Sequence, residues 1–222
     1  MLIPKGRSPT YNPVTTYTLT SSEISMSKLF ATLSIAALLG LTCSALAEET
    51  KEVKKEEKKE PTSFTVADGK LAFKATGAWK KKTPKSNIIE VEFEAPPAKG
   101  DEIAGRLTIM GAGGDIKANI DRWYGQFLQP DGSDTKDKAK LDKTTIGGNN
   151  VHIVDISGIY KDSPAGPFAG GKTVNREDYR MLAAIIETKA AGNYFVKFYG
   201  PKATIAENEK AFKELLQSLI VK

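Results

Sequence analysis

Cysteine and histidine are nearly missing from this chain. Among 222 residues, Cys43 is the one cysteine and His152 the one histidine. Cys43 lies in an apolar N-terminal stretch, so the chain beyond it has no thiol for a disulfide, a nucleophile or a metal. His152 has no second imidazole or thiol to join it. That excludes a His-pair or Cys/His metal centre and leaves at most one imidazole for a catalytic triad. A dominant charge of one sign is also lacking. The formal net charge is +5. Residues 1–47 hold Lys5, Arg7, Lys28 and Glu23, which leaves 29 basic and 26 acidic residues in the remainder, a net of +3 with the signs interleaved. That balance argues against nucleic acid as a partner. The apolar run Leu29–Leu41 falls short of the roughly 20 residues that a bilayer needs, so no transmembrane span is expected in the mature chain.

What is there begins with a leader. Lys28, the run Leu29–Leu41 and Ala45-Leu46-Ala47 supply the basic, apolar and small-x-small parts of a secretory signal over residues 26–47. Met26 then reads as the start, and residues 1–25 as an extension of the gene start with no targeting pattern. Cys43 opens a second reading, a lipid-anchored envelope protein, although Gly40 and Thr42 make a poor lipobox. Residues 48–62 are mostly Glu and Lys and read as a charged, disordered tether. Residues 63–222 are long enough for a single domain with its own core. The expected location is exported: periplasmic, secreted or attached to the envelope.

Within the domain, Phe64–Val66 and Lys70–Phe73 flank Asp68-Gly69 as a hairpin. Asn87–Phe93 alternates Ile89, Val91 and Phe93 with Glu90, Glu92 and Glu94, a half-buried strand with a wet acidic face. Arg106–Met110 reads as another strand. Ile116, Ile120, Trp123 and Phe127 form one stripe of a helix, with Asp115 at its N-terminal end and Trp123 in the core. Leu141–Ile146 and Val151–Tyr160 flank Gly147-Gly148-Asn149-Asn150 as a second hairpin. Lys161–Asp178 reads as one long Gly/Pro-rich loop. Tyr179–Thr188 fits helix or strand by pattern alone, and the alternating Tyr194–Tyr199 after Gly192-Asn193 favours strand. A capping box, Thr204-x-x-Glu207, opens a final helix with Phe212, Leu215, Leu216 and Leu219 on its buried face. The fold class is α+β: an antiparallel sheet covered by two main helices.

Gly113-Gly114-Asp115-Ile116-Lys117-Ala118-Asn119-Ile120-Asp121-Arg122-Trp123-Tyr124-Gly125-Gln126-Phe127 resembles the GG-x-x-x-N-x-x-R-W-x-G-Q segment of a group of exported bacterial proteins of unknown role. The runs Arg180-Met181-Leu182 and Tyr194–Lys202, and the final helix with Phe212 and Ser218, extend that resemblance over Phe64–Val221. The group looks PsbP-like, which implies an α/β/α sandwich shared with the extrinsic photosystem II subunit and a small Ran-binding import factor. It implies no catalytic residue.

Several motifs compete for function. Gly166–Thr173 matches G-x-x-x-x-G-K-[ST], but a phosphate loop requires a strand before it and a helix after it, and here a strand is expected to follow. Gly111-Ala112-Gly113-Gly114 resembles a dinucleotide turn but has Ile116 where the third glycine belongs, so it reads as a tight strand-to-helix turn. His152 reads as packed or hydrogen-bonded scaffold. Asp142 and Asp155 lie across one hairpin and are the candidate pair for carboxylate chemistry. On the helix, Arg122 and Gln126 at i,i+4 suit an anion or a partner, while Asn119 and Arg122 equally suit hydrogen bonds that tie the helix down. In the long loop, Phe168 beside Lys172 and Arg176 is an aromatic anchor among cations. These readings converge on an exported, non-enzymatic binding or accessory domain with a protein or small-molecule partner and no cofactor. Its candidate binding residues are Phe168, Lys172, Arg176, Arg122 and Gln126, and no metal ligand is expected. The class-distinct alternative is a small envelope hydrolase using carboxylates.

Overall fold

The computed structural model describes residues 59–163 and 172–222. In chain order the elements are β1 (Thr62–Val66), β2 (Leu71–Ala75), β3 (Lys80–Lys82), β4 (Val91–Ala95), β5 (Gly105–Gly111), α1 (Ile116–Tyr124), β6 (Phe127–Leu128) and α2 (Thr135–Lys138). They continue as β7 (Lys140–Ile146), β8 (Asn149–Asp162), β9 (Val174–Thr188), β10 (Gly192–Pro201), α3 (Lys202–Glu207), α4 (Glu209–Gln217) and β11 (Ile220–Val221). The main sheet runs β3-β4-β5-β10-β9-β8-β6, with β7 also pairing β8. Its pairings are antiparallel. A second, three-stranded sheet has the order β1-β2-β11.

Strand alternation sends side chains to two different covers. On one face Phe93, Leu107, Val151, Leu182, Val196 and Phe198 meet the small sheet and helices α3 and α4. On the other, Val154, Ile156, Met181, Ala183, Ile185 and Phe195 meet α1 through Ile120, Trp123 and Tyr124. This is an α/β/α sandwich. Trp123 is 3% exposed and sits edge-on to Phe195, with ring centroids 5.3 Å apart. Asp115 caps α1 by accepting a hydrogen bond from the Ala118 backbone N–H at 2.8 Å, which satisfies an end donor the helix cannot. No described helix is long and apolar enough to cross a membrane.

Several expected boundaries shift. The stripe ending at Phe127 is not one helix: α1 stops at Tyr124, and Phe127 belongs to β6, where it pairs with Tyr160. The strand expected over Asn87–Phe93 begins at Val91, and its acids are not simply wet. Glu92 binds Arg106, Glu94 binds Lys82, and Glu90 accepts from the Ala67 N–H and the Tyr194 hydroxyl. Gly147-Gly148 alone make the turn from β7 to β8, at φ +57° and +76°, the two left-handed positions of a tight hairpin turn. The expected capping box does not form. Thr204 lies inside α3, fully buried, and its hydroxyl and N–H both donate to the Asp101 carboxylate, at 2.6 and 3.0 Å. A tertiary carboxylate takes the hydroxyl that local capping needed. The final helix divides at Asn208 into α3 and α4, because the Asn208 amide is drawn into the core. It donates to the Pro96 and Thr204 carbonyls and accepts from the Trp79 indole N–H at 2.8 Å.

The loop expected over Lys161–Asp178 is shorter than its composition suggests. Strand β8 runs on to Asp162 and β9 starts at Val174, with Tyr160 opposite Arg176, Lys161 opposite Asn175 and Asp162 opposite Val174. Arg176 and Asp178 therefore lie in a strand. The pairing is irregular there: Gly158 faces Tyr179 and Tyr160 faces Arg176, so two steps on β8 match three on β9. Strand β9 accommodates the extra residue with Asp178 at φ +50°. This is a β-bulge. Opposite it, Gly158 is required because a Cβ would lie 2.5 Å from the Leu128 carbonyl oxygen of β6.

Candidate functional site

Strand β10 carries the decisive contrast. Tyr194, Val196 and Phe198 point into the core under α3 and α4. The opposite parity begins with Phe195 under Trp123 and continues with Lys197 and Tyr199, past the reach of α1. A lysine at that position is costly to charge, because its neighbours are rings and other cations. Its ammonium donates to Gln126 Oε1 at 2.6 Å and lies over the faces of Tyr199 and Tyr160, 4.8 and 5.3 Å from the ring centroids. Burial lowers its pKa to about 7, and repulsion from Arg106 and Arg122 adds to the drop, opposed by Asp162.

The surroundings come from five elements. Opposite Tyr199, Arg106 of β5 donates from Nε and Nη2 to both oxygens of Glu92 on β4 at 2.9 Å, and from Nη1 to the Tyr199 hydroxyl at 2.7 Å. Tyr160 of β8 stacks on Tyr179 of β9, with centroids 6.0 Å apart and planes 4° from parallel. Burial pushes the phenols of Tyr160, Tyr179 and Tyr199 above the ordinary tyrosine range, so they stay neutral hydrogen-bonding rings. Beyond them Arg176 donates to the Asp162 carboxylate at 3.2 Å. The bulge matters here. It places both Tyr179 and, three residues earlier, Arg176 on the face that Tyr160 occupies. Tyr179, Lys197, Tyr199, Arg106 and Arg176 all keep part of their surface accessible. The result is an open shelf of tyrosines and cations beside the C-terminal end of α1.

This layering has relatives in fold. No family model matches the chain, and no curated protein matches it in sequence. Among solved structures it is similar to a cyanobacterial PsbP, CyanoP of Synechocystis, at 10% identity over 73% of this chain and 92% of that one, with a TM-score of 0.45. A Pseudomonas aeruginosa protein of unknown function matches at 14% identity, over 73% and 98%, with a TM-score of 0.41. The Saccharomyces cerevisiae Ran-binding protein Mog1p matches at 9% identity, over 73% and 96%, with a TM-score of 0.39. The chain is similar to the PsbP-like proteins in fold alone.

The structure brings three of the five candidate binding residues to the shelf. Gln126 holds the Lys197 ammonium, Arg176 lies at the rim, and Arg122 is exposed with no hydrogen bond or ion pair among the described residues. Arg122 therefore does not tie the helix down. Asn119 does bond, but to the Gly113 and Asp115 carbonyls at the start of α1 and not to the sheet. Lys172 is exposed in the segment before β9. Phe168 lies outside the described residues, as does most of Gly166–Thr173. Lys172 and Thr173 lead directly into strand β9, without the helix a phosphate loop needs.

The remaining motifs resolve into scaffold. His152 is 7% exposed and shares a 2.7 Å hydrogen bond with Glu187 across β8 and β9. Asp155 accepts two 2.8 Å hydrogen bonds from Arg180, which also binds Glu209 at the start of α4. Asp142 stands exposed on the edge strand β7. Among the described residues no cluster of three acids or histidines is placed to hold a metal. Among the described residues, two surface depressions, one against β1, β2 and β11 and one around α2, are not lined by Lys197.

Sequence reasoning missed Lys197, Tyr160, Tyr179, Tyr199 and Arg106. The one available signal was Lys197 itself, a charged residue inside the apolar alternation Tyr194–Tyr199.

Proposed function

We propose that this chain is an exported, non-enzymatic binding or accessory domain that holds a protein or small-molecule partner on the tyrosine–cation shelf. The observation that carries this reading is the shelf itself. Arg106, Lys197 and Arg122 stand with three tyrosines on a face that the helix leaves open, and Tyr and Arg are the side chains that most often anchor partners. The alternative hydrolase reading finds less support. Asp155 is held by Arg180, and Asp142 stands apart from it on an exposed edge. Export rests on the leader at residues 26–47, with cleavage after Ala47 and a periplasmic or secreted destination. Arg122, Gln126 and Arg176 are the proposed contact residues carried over from the sequence, with Lys172 ahead of β9 and, from the sequence alone, Phe168.

The test is recovery of the protein from native envelope, with its partners. N-terminal sequencing is expected to begin at Glu48; an acylated start at Cys43 establishes the lipid-anchored alternative instead. A partner retained by wild type and by a control variant on the opposite face, Lys210→Ala, should be lost from Tyr179→Ala/Arg122→Ala. Equal recovery by all three proteins overturns the shelf as the binding site.

A further inference from the structure

The charges on the shelf do not cancel. Glu92 is held by two nitrogens of Arg106, and Asp162 by Arg176. Those are two closed pairs. Lys197 and Arg122 remain, and among the described residues neither has a carboxylate within ion-pair distance. A lysine ammonium has three donors, and Gln126 takes one with a neutral amide oxygen. The ring faces of Tyr160 and Tyr199 hold the charge electrostatically but accept no strong hydrogen bond. Arg122 has an unused fork of donors suited to a group with two or more oxygens. Beyond the Tyr160 ring that faces Lys197 lies the partly accessible Tyr179, stacked on Tyr160 as a flat platform.

From this geometry we infer that the shelf binds an anionic group, a carboxylate or a phosphate carried on a flat apolar body, with Lys197 and Arg122 holding the charge. The inference rests on the reading of the shelf as the binding site and names what that site takes. It carries a pH signature. The groups that face Lys197 are known from each element around it. Arg106 and Arg122 repel its proton and Asp162 attracts it; Tyr160 and Tyr199 present neutral rings; Gln126 is neutral; and Glu92 is already closed on Arg106. Only the ammonium form attracts the anion. With its pKa at about 7 in the free protein, anion binding above that pH takes up a proton, and affinity falls as pH rises.

The experiment is nuclear magnetic resonance of the isotope-labelled full chain at constant ionic strength, titrated with benzoate, phenyl phosphate and, as the uncharged control, benzyl alcohol. Saturable shifts are expected at Lys197, Arg122 and the three tyrosines with an anion and not with the alcohol. The preferred anion tells a carboxylate source from a phosphate source. Benzoate affinity should fall by more than about tenfold between pH 6 and pH 9, as the ammonium fraction falls. Lys197→Met should abolish binding while leaving the melting temperature equal or higher, so the loss cannot come from unfolding. Lys197→Arg, which cannot lose its proton, should keep binding at pH 9.

Two outcomes overturn the inference. In one, no probe moves the shelf resonances. In the other, benzyl alcohol binds as well as benzoate and Lys197→Met changes neither, which makes the shelf an aromatic surface without anion recognition. The broader binding reading survives either result if the native partner is still lost from Tyr179→Ala/Arg122→Ala, and falls separately if it is not.

Discussion

The two faces of the main sheet are made from the same strands and have opposite characters. Under α3, α4 and the small sheet, every inward position of β10 is apolar or a tyrosine whose hydroxyl is satisfied: Tyr194, Val196 and Phe198. Phe198 packs at once against Trp79 and Phe212, and both are buried. Under α1 the same strand begins alike, with Phe195 against Trp123, and then turns to Lys197 and Tyr199. The first face is closed by two helices, α3 and α4, and a hairpin. The second has one nine-residue helix, too short to cover strands of ten residues and more. Cover length therefore sets where the core ends and where polar side chains become tolerable. The shelf begins where α1 stops.

Substitutions test that contrast, and the largest effects belong to the closed parts. Phe198→Ala and Trp123→Ala should each cost about 3–5 kcal/mol in denaturant unfolding, since both remove large buried rings. A cost below about 1 kcal/mol for Trp123→Ala means that α1 does not seal its half of the second face. Lys197→Met should act in the opposite direction, stabilising the fold by roughly 2–4 kcal/mol at pH 6, because an apolar isostere replaces a poorly solvated charge. The sign with pH follows from the lowered pKa. Between about 7 and the ordinary lysine value the unfolded chain binds more protons than the folded one, so wild-type stability rises with pH. The advantage of Lys197→Met should narrow over that window in parallel melts, and a constant gap contradicts the assignment.

Smaller effects sharpen the comparison at its edges. Asn208→Ala leaves the Trp79 indole N–H and the Pro96 carbonyl without a partner, a loss of about 1–3 kcal/mol by chemical denaturation. Arg122→Ala should change stability by no more than about 0.5 kcal/mol, because the residue is exposed and makes no contact that the fold needs. A larger loss assigns Arg122 to the scaffold and removes it from the shelf.

The closed face was the legible one. Period-two and helical stripes mark Phe93, Val196, Phe198, Phe212 and Leu215 as core from the amino-acid sequence alone, because burial there depends only on local alternation. Trp79 was not legible. Its sequence neighbours are three lysines of β3, and what holds it inside is distant in the chain: the rings of Phe93 and Phe198 and the Asn208 oxygen that accepts from its indole N–H. The same holds for Thr204, whose capping pattern is correct locally and overridden by Asp101, more than a hundred residues away. The shelf was half legible. Arg122 and Gln126 announced themselves by helical spacing, and Arg176 by its place near an aromatic. Arg106, Tyr160, Tyr179 and Lys197 are brought together by strand order, β5-β10-β9-β8, which no local pattern encodes.

The extra residue in β9 acts as a phase shift. Inward of it, odd-numbered residues such as Met181, Ala183 and Ile185 face α1; outward of it, even-numbered Arg176 does. The core half of the long hairpin and its outer half are thus set to different phases by one left-handed residue, Asp178. Deleting that residue would restore a regular ladder with Arg176 still opposite Tyr160, whereas keeping it without the bulge would turn Arg176 to the opposite side; the phase of Met181 and Ile185 is untouched either way. The bulge thus absorbs one residue of length without exchanging the faces of the rim, so the outer hairpin of β8 and β9 tolerates a change of length that the flat core half, with Met181 and Ile185 in strict alternation, does not.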